Sequence, residues 1–195
     1  MATLRDAQKQ LTRRLLLEKG LELFESKGYV ATTIDDIAAG AGTTRTTFYL
    51  HFTSKAQLMS ALIVEVDAIL TSADDPPLST VVESGSRDMV RTWLDRKIDQ
   101  WAVIRPYVMA AHQAAPTEPE IAESMEKWFE DTVAAMNEGL DRAGRFEPEN
   151  RRIRCLLAFG QFEHLSLRWF RMGWKTVDRE TALETLTDSW CFLLT

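Results

Sequence analysis

The sequence predicts an all-α protein of about nine helices, with an N-terminal three-helix helix-turn-helix domain and a C-terminal helical bundle. Apolar residues recur at i, i+3, i+4 and i+7 along most of the chain, the spacing of a helical face. Capping residues, glycines and prolines separate these segments. Residues 32–52 form two short helical patterns joined by a tight turn. Hydrophobic residues make up 45% of the 195 positions, enough for a substantial core.

Charge divides the chain into two parts. The net charge is −6, but residues 1–60 carry eight Lys or Arg against six Asp or Glu, a net +2. Residues 61–195 carry 15 basic and 23 acidic residues, a net −8. We therefore predict a helix-turn-helix domain over 1–60 and a second, helical domain over 61–195. Positive charge in the first part suits a polyanionic partner, and the acidic second part does not.

The order of the elements follows from the pattern. We predict a polar arm over 1–10, a break at Pro106 because proline disfavours helix at the preceding residue, and a loop over 71–80. Beyond residues 32–52, the predicted helices cover 12–27, 54–70, 86–103, 106–114, 117–143, 147–172 and 179–193.

The segment 32–52 has the signals of a helix-turn-helix. Thr33 can cap the first helix, with Asp36 in the capping-box position three residues on. Gly40 and Gly42 bracket the end of its apolar pattern, as a helix end and tight turn require. Thr43 or Thr44 can cap the second helix. That helix is small and polar at its start and aromatic later, which suits insertion into a DNA major groove.

Each polar position of this segment has a predicted role. Arg45 and Thr46 are assigned to base edges or the adjacent backbone, because Arg matches guanine and Thr offers a methyl group to thymine. Lys55 lies at the start of the next helix, where it can hold a phosphate. Tyr49 can alternatively pack within the domain, and His51 can be an ordinary surface residue. The predicted DNA-contacting residues are Thr33, Thr44, Arg45, Thr46, Thr47, Tyr49, His51 and Lys55.

The run from Gly28 to Ala38, Thr47–Phe52 and the pair Ser54-Lys55 resemble the N-terminal DNA-binding domain of the TetR family of transcriptional repressors. The resemblance covers about the first third of the chain. One departure is Thr43, where the family usually has an apolar residue such as Val. The remaining two thirds match the family only in length and helical character.

This resemblance implies a pocket for an apolar or aromatic small molecule in the second domain. Large rings and methionines on neighbouring helices can enclose such a cavity, with few polar groups for orientation. The same residues are also ordinary core, which is the commoner role of an aromatic stripe at helical spacing. The predicted ligand-contacting residues are Trp93, Trp101, Met109, His112, Trp128, Met136, Phe159, Phe162 and Glu163.

A dimer is predicted from the last two helices. The helix after Glu147 has two apolar faces, and both must be covered. These two helices can pair with a second copy, or they can be core helices of a monomer. A single recognition helix reads only half a site, so we expect a homodimer on a palindromic operator in double-stranded DNA.

The remaining signals argue against other functions. Cys155 and Cys191 lie in apolar helical patterns and are expected to be reduced thiols. We predict no metal site, because the three histidines form no i, i+4 pair, and no cofactor, because no phosphate-binding loop occurs. Without an apolar run of membrane-spanning length or a secretion signal, a cytoplasmic location is expected.

The expected function is therefore a ligand-responsive repressor and not an enzyme. An activator or a ligand-independent regulator of the same architecture is the first alternative. A helical enzyme or small-molecule carrier is the second, and the absence of paired acid–base or nucleophile motifs counts against it.

Overall fold

The computed structural model describes residues 4–71, 74–175 and 177–195 and contains nine helices and no strand over these residues. The predicted all-α class is confirmed. The helices are α1 Leu4–Lys27, α2 Ile34–Gly40, α3 Arg45–Tyr49, α4 Lys55–Thr71, α5 Leu78–Ser84, α6 Arg87–Ala114, α7 Pro119–Ala143, α8 Pro148–Met172 and α9 Arg179–Leu194. No helix of the described part of the chain is long and apolar enough to cross a membrane.

Three predicted boundaries were wrong. The arm over 1–10 is helical from Leu4, with residues 1–3 outside the described residues. The loop over 71–80, of which 72–73 lie outside the described residues, contains the start of α5, which the prediction missed. The two helices predicted on either side of Pro106 are one helix, α6. Since one helix was missed and another was split, the two errors cancel in the helix count.

Helix α6 continues through Pro106 because its neighbours in the helix are buried. Proline inside a helix removes one hydrogen bond and costs about 3 kcal/mol. Ile104 is 6% exposed and Ala110 is 1% exposed, so the helical path places apolar side chains on either side of the proline in a core. Burial of these side chains offsets the local cost.

The chain forms two compact units that are discontinuous in sequence. The first comprises residues up to Ala68 together with Ile104–Met125, and the second comprises Ile69–Val103 and Glu126–Thr195. The boundaries fall inside α4, α6 and α7. The end of α6 and the start of α7 therefore belong to the core of the helix-turn-helix unit. The functional division at residue 60 stays a prediction.

Each unit has its own core. In the first, side chains from α1 to α4 pack with Ala110, Ala111, Ala114 and Ile121. In the second, α5 lies close against α7 at Gly139, where an added Cβ would come within 2.4 Å of the Ser79 carbonyl oxygen. Only glycine allows this approach of two helix backbones.

Candidate nucleic-acid interface

Helix α3 is only five residues long and is held by one buried side chain. Phe48 is 0% exposed, and its ring packs 5.7 Å from that of Phe52. Thr44, one of the two threonines predicted as caps, caps the helix by accepting a hydrogen bond from the Thr47 backbone N–H. Arg45, Thr46 and Tyr49 are exposed. The helix thus turns one ring inward and its polar side chains outward.

The start of α2 is held by a complete capping box. The Thr33 hydroxyl accepts from the Asp36 backbone N–H at 3.1 Å, and the Asp36 carboxylate accepts from the Thr33 N–H at 2.8 Å. This prediction is confirmed. Lys27 also donates to Asp36 at 2.6 Å. The Lys27 ammonium and the Thr33 donors hold the pKa of Asp36 far below its usual range.

Arg45 is held at the surface by two neighbours. Its Nη1 lies 2.8 Å from Asp35 Oδ2, and its Nη2 donates to the Tyr49 hydroxyl at 3.3 Å. The guanidinium also lies over the Tyr49 ring, 5.7 Å from the centroid. The Tyr49 hydroxyl and the Asp35 carboxylate raise the pKa of Arg45. Asp35 lies in the first turn of α2, so its contact with Arg45 joins residues ten apart across the turn.

His51 lies beside basic residues of α1. Burial, followed by the charges of Lys9 and Arg13, lowers the pKa of His51, which favours its neutral form. The Arg13 guanidinium lies over the Phe52 ring, 5.0 Å from its centroid. Lys9 and Arg13 of α1 therefore place positive charge beside the residues that follow α3.

The Lys55 side chain makes its contacts within the first unit. Its ammonium donates to the backbone carbonyls of Tyr29, at 2.7 Å, and Thr32, at 2.9 Å, and lies 4.1 Å from the centre of the Tyr29 ring. Burial lowers the pKa of Lys55. The side chain predicted to hold a phosphate thus ties the start of α4 to the segment before α2.

Tyr29 is a central contact of this unit that the sequence interpretation did not select. It is 1% exposed, and its backbone N–H donates to Gln113 Oε1 at 2.8 Å. Its hydroxyl donates to Glu118 at 3.0 Å. Burial and the hydrogen bond to Glu118 raise the pKa of Tyr29. Because these partners are more than 80 residues away in the chain, no local pattern could have indicated them.

The predicted ligand residues are divided between the two units. Met109 and His112 lie in the first, on the end of α6, and are partly buried. The other seven lie in the second: Trp93, Trp101, Trp128, Met136, Phe159, Phe162 and Glu163. Five of these seven are buried, whereas Trp128 and Glu163 are half-buried.

The rings of the second unit pack on one another. Trp93 stacks on Trp190 with centroids 5.4 Å apart, and Trp101 lies 5.5 Å from Phe162. Such separations are those of aromatic rings in direct contact. Two buried indole N–H groups, of Trp93 and Trp169, have no hydrogen-bond partner within the described residues. Buried polar groups of this kind call for an explanation, because most are satisfied.

Helix α8 is buried on one side and open on the other. Cys155, Phe159 and Phe162 lie on the buried side, and burial raises the pKa of the Cys155 thiol to about 11. On the other side, Ile153 and Leu157 are each 51% exposed. A shallow groove on this outer side is lined by Leu156, Leu157, Gly160, Gln161, His164, Leu165 and Arg168.

These features define a class of protein: an all-α protein with a helix-turn-helix that presents a polar, singly basic helix. Residues 16–62 match the sequence model of a protein family described as "Bacterial regulatory proteins, tetR family". The regulator EthR of Mycobacterium tuberculosis is 29% identical over 135 residues, which cover 65% of this chain and 61% of that protein. The matching region thus spans less than two thirds of that relative.

Solved structures share the fold. A TetR-family regulator from Pseudomonas syringae pv. tomato has a TM-score of 0.71 at 18% identity, over 93% of this chain and 94% of that one. NalD of Pseudomonas aeruginosa, a repressor of a multidrug efflux pump, has a TM-score of 0.68 at 20% identity, over 95% and 97%. Residues 16–62 of this chain are thus similar to the TetR family of regulatory proteins, and the solved structures share its fold over more than nine tenths of its length.

The position of Lys55 leads to a prediction about stability. Lys55→Met keeps the aliphatic stem but leaves two carbonyls without their donor, so we expect a loss of about 1–3 kcal/mol in the free energy of unfolding. Urea denaturation followed by circular dichroism measures this. Lys19→Met, which removes an exposed ion pair with Glu22, is the control and should cost less than about 1 kcal/mol. An unchanged stability with uniformly weaker DNA binding would instead support the phosphate role.

Proposed function

We propose that this protein is a transcriptional regulator that binds double-stranded DNA as a homodimer, with α3 of each subunit in the major groove of one half of a palindromic operator. The observation that carries the proposal is the outward polar face of α3, anchored by the single buried ring of Phe48. A helix presented in this way matches the groove-reading element of helix-turn-helix proteins.

Contacts to DNA divide into two kinds. Arg45 and Thr46 read base edges, because both are exposed at the first turn of α3. The remaining predicted residues position the domain on phosphates or at the groove edge: Thr33, Thr44, Thr47, Tyr49 and His51. Lys55 acts indirectly, by fixing the backbone before α2.

Selection of fragments from a random duplex library tests this function. We expect the wild-type chain to enrich a palindrome and Arg45→Ala to lose preference at one base position of each half-site, at a cost of about 1–3 kcal/mol on that sequence. Arg142→Ala, which removes an arginine of the second unit, is the control. Equal weakening of selected and random DNA by Arg45→Ala would refute the base-reading role, and enrichment of no sequence would refute the function.

The outer side of α8 supports dimerisation. The residues that line its groove recur every three or four positions, so they form one stripe along the helix, and Leu156, Leu157 and Leu165 are the large apolar members of that stripe. Phe192 of α9 is 81% exposed. Exposed apolar patches of this kind mark interaction sites, and a stripe on one helix can pair with its own copy about a two-fold axis. We therefore favour α8 and α9 as the dimer interface.

Oligomeric state tests the interface. Leu157→Glu places a charge in the centre of the stripe, so we expect a shift from dimer to monomer by sedimentation velocity, at unchanged helix content. Val103→Glu is the control, since Val103 is 56% exposed and lies outside α8 and α9. A dimer that persists in the Leu157 variant, or that is lost in both variants, would exclude this interface.

A ligand of the second unit would regulate DNA binding. The indole N–H groups of Trp93 and Trp169 favour an aromatic molecule with a hydrogen-bond acceptor, since each lacks a partner among the described residues. Such a molecule would have to separate rings that now touch. Coupling of about 1–3 kcal/mol between the two sites would suffice for a switch.

Tryptophan fluorescence tests ligand binding, since all six tryptophans follow residue 90 in the sequence. We expect anilinonaphthalene sulfonate, an aromatic probe with sulfonate acceptors, to quench the emission and weaken operator binding. Trp169→Phe keeps a ring but removes the N–H, so it should bind the probe several-fold less tightly. Quenching without any effect on DNA binding would separate a binding site from a sensor.

The effect on transcription follows from where the operator lies. Occupancy of a promoter blocks polymerase, so repression is the favoured outcome, whereas an upstream operator would allow activation. An enzyme or carrier is the weaker proposal, because the exposed polar face of α3 would then have no binding partner.

A further inference from the structure

Asp35 and Arg45 form an ion pair between the two helices of the helix-turn-helix. Asp35 is the second residue of α2, and Arg45 is the first residue of α3. The side chains are 63% and 57% exposed, so the pair lies at the surface beside the exposed residues of α3. Its 2.8 Å separation includes a hydrogen bond from Nη1 to Oδ2.

We propose that Asp35 is a specificity-determining residue that orients the Arg45 guanidinium for base reading and disfavours binding to DNA without the matching base. The inference rests on the proposed function and adds a residue to it. The neighbouring acid, Asp36, has a different task, because its carboxylate completes the cap of α2 and binds Lys27. The cap therefore does not account for the carboxylate of Asp35.

The geometry leaves Arg45 able to bind a base while it is held. An arginine has five N–H donors in a planar fork. The hydrogen bonds described for Arg45 use one donor on Asp35 and one on the Tyr49 hydroxyl. Three donors remain for a guanine edge, which accepts two hydrogen bonds at O6 and N7. Two supports on different helices restrict rotation of a long side chain, so less entropy is lost when the base is bound.

The negative charge of Asp35 weakens binding to DNA that lacks the matching base. A carboxylate near the DNA backbone repels phosphates, and its pairing with Arg45 withholds one cation from them. Non-specific binding depends almost entirely on such cation–phosphate contacts. A site with guanine in the correct position offsets the repulsion through base contacts, whereas random DNA does not. Asp35 should therefore lower affinity for all DNA but raise the ratio of specific to non-specific binding.

Binding of the full chain to its selected operator and to random duplex tests the proposal. Asp35→Asn removes the charge at nearly constant shape, and Asp35→Ala also removes the support of Arg45. We expect Asp35→Asn to bind random duplex about three- to tenfold more tightly at low salt, with a salt slope steeper by about one. Asp35→Ala should in addition lose about fivefold or more of the discrimination at the base read by Arg45.

Controls separate this role from a structural one. Glu25→Gln removes the same charge from another exposed carboxylate paired with an arginine, Arg105, and should leave base preference unchanged. In an Arg45→Ala background, the Asp35 substitutions should no longer alter base preference, because Asp35 orients that arginine.

The outcomes are distinguishable. A base preference and specificity ratio within about twofold of wild type in Asp35→Ala would overturn the proposal, as would equal weakening on all DNA together with a lower unfolding midpoint. If the wild-type chain selects no operator, the proposed function fails instead, before any variant is compared.

Discussion

A five-residue helix is not stable in water without support, because helix nucleation is costly and isolated helices below about 12 residues are marginal. Helix α3 therefore depends on Phe48, whose fully buried ring joins it to the core, and on the Thr44 cap. Because one ring carries the packing, the other side chains of α3 are available to solvent. The same need for support explains the hydrogen bonds around α3. Lys55 donates to the backbone before α2, and the Tyr29 N–H in that backbone donates to Gln113 at the end of α6.

The electrostatics of the first unit depend on pairing more than on residue counts. The segment 1–60 has an excess of two positive charges, but Lys27 is paired with Asp36 and Lys55 is directed at backbone carbonyls. Lys9 and Arg13 lie instead near His51, where burial and then their positive charges lower the pKa of His51. Cations used to hold the fold contribute less to attraction of a polyanion than cations that are free to exchange counterions.

The second unit combines dense aromatic packing with unmet hydrogen-bond capacity. Stacked and tilted rings fill the space around Trp101 and Phe162, which favours stability and a dry interior. The indole N–H of Trp190 donates a hydrogen bond to the Ala158 carbonyl at 2.9 Å. The indole N–H groups of Trp93 and Trp169 have no acceptor within the described residues. These two N–H groups are the atoms of the packed interior that the proposed aromatic ligand would satisfy.

Local chemistry in the sequence determined the all-α class, the threonine caps of α2 and α3, and the two apolar faces of α8. These features depend on neighbours within about one turn, so a linear pattern contains them. Tertiary structure alone decided that α6 continues through Pro106, that Lys55 points inward, and that Asp35 meets Arg45. Each of these depends on burial or on a partner from another element, and neither quantity is defined until the helices have packed.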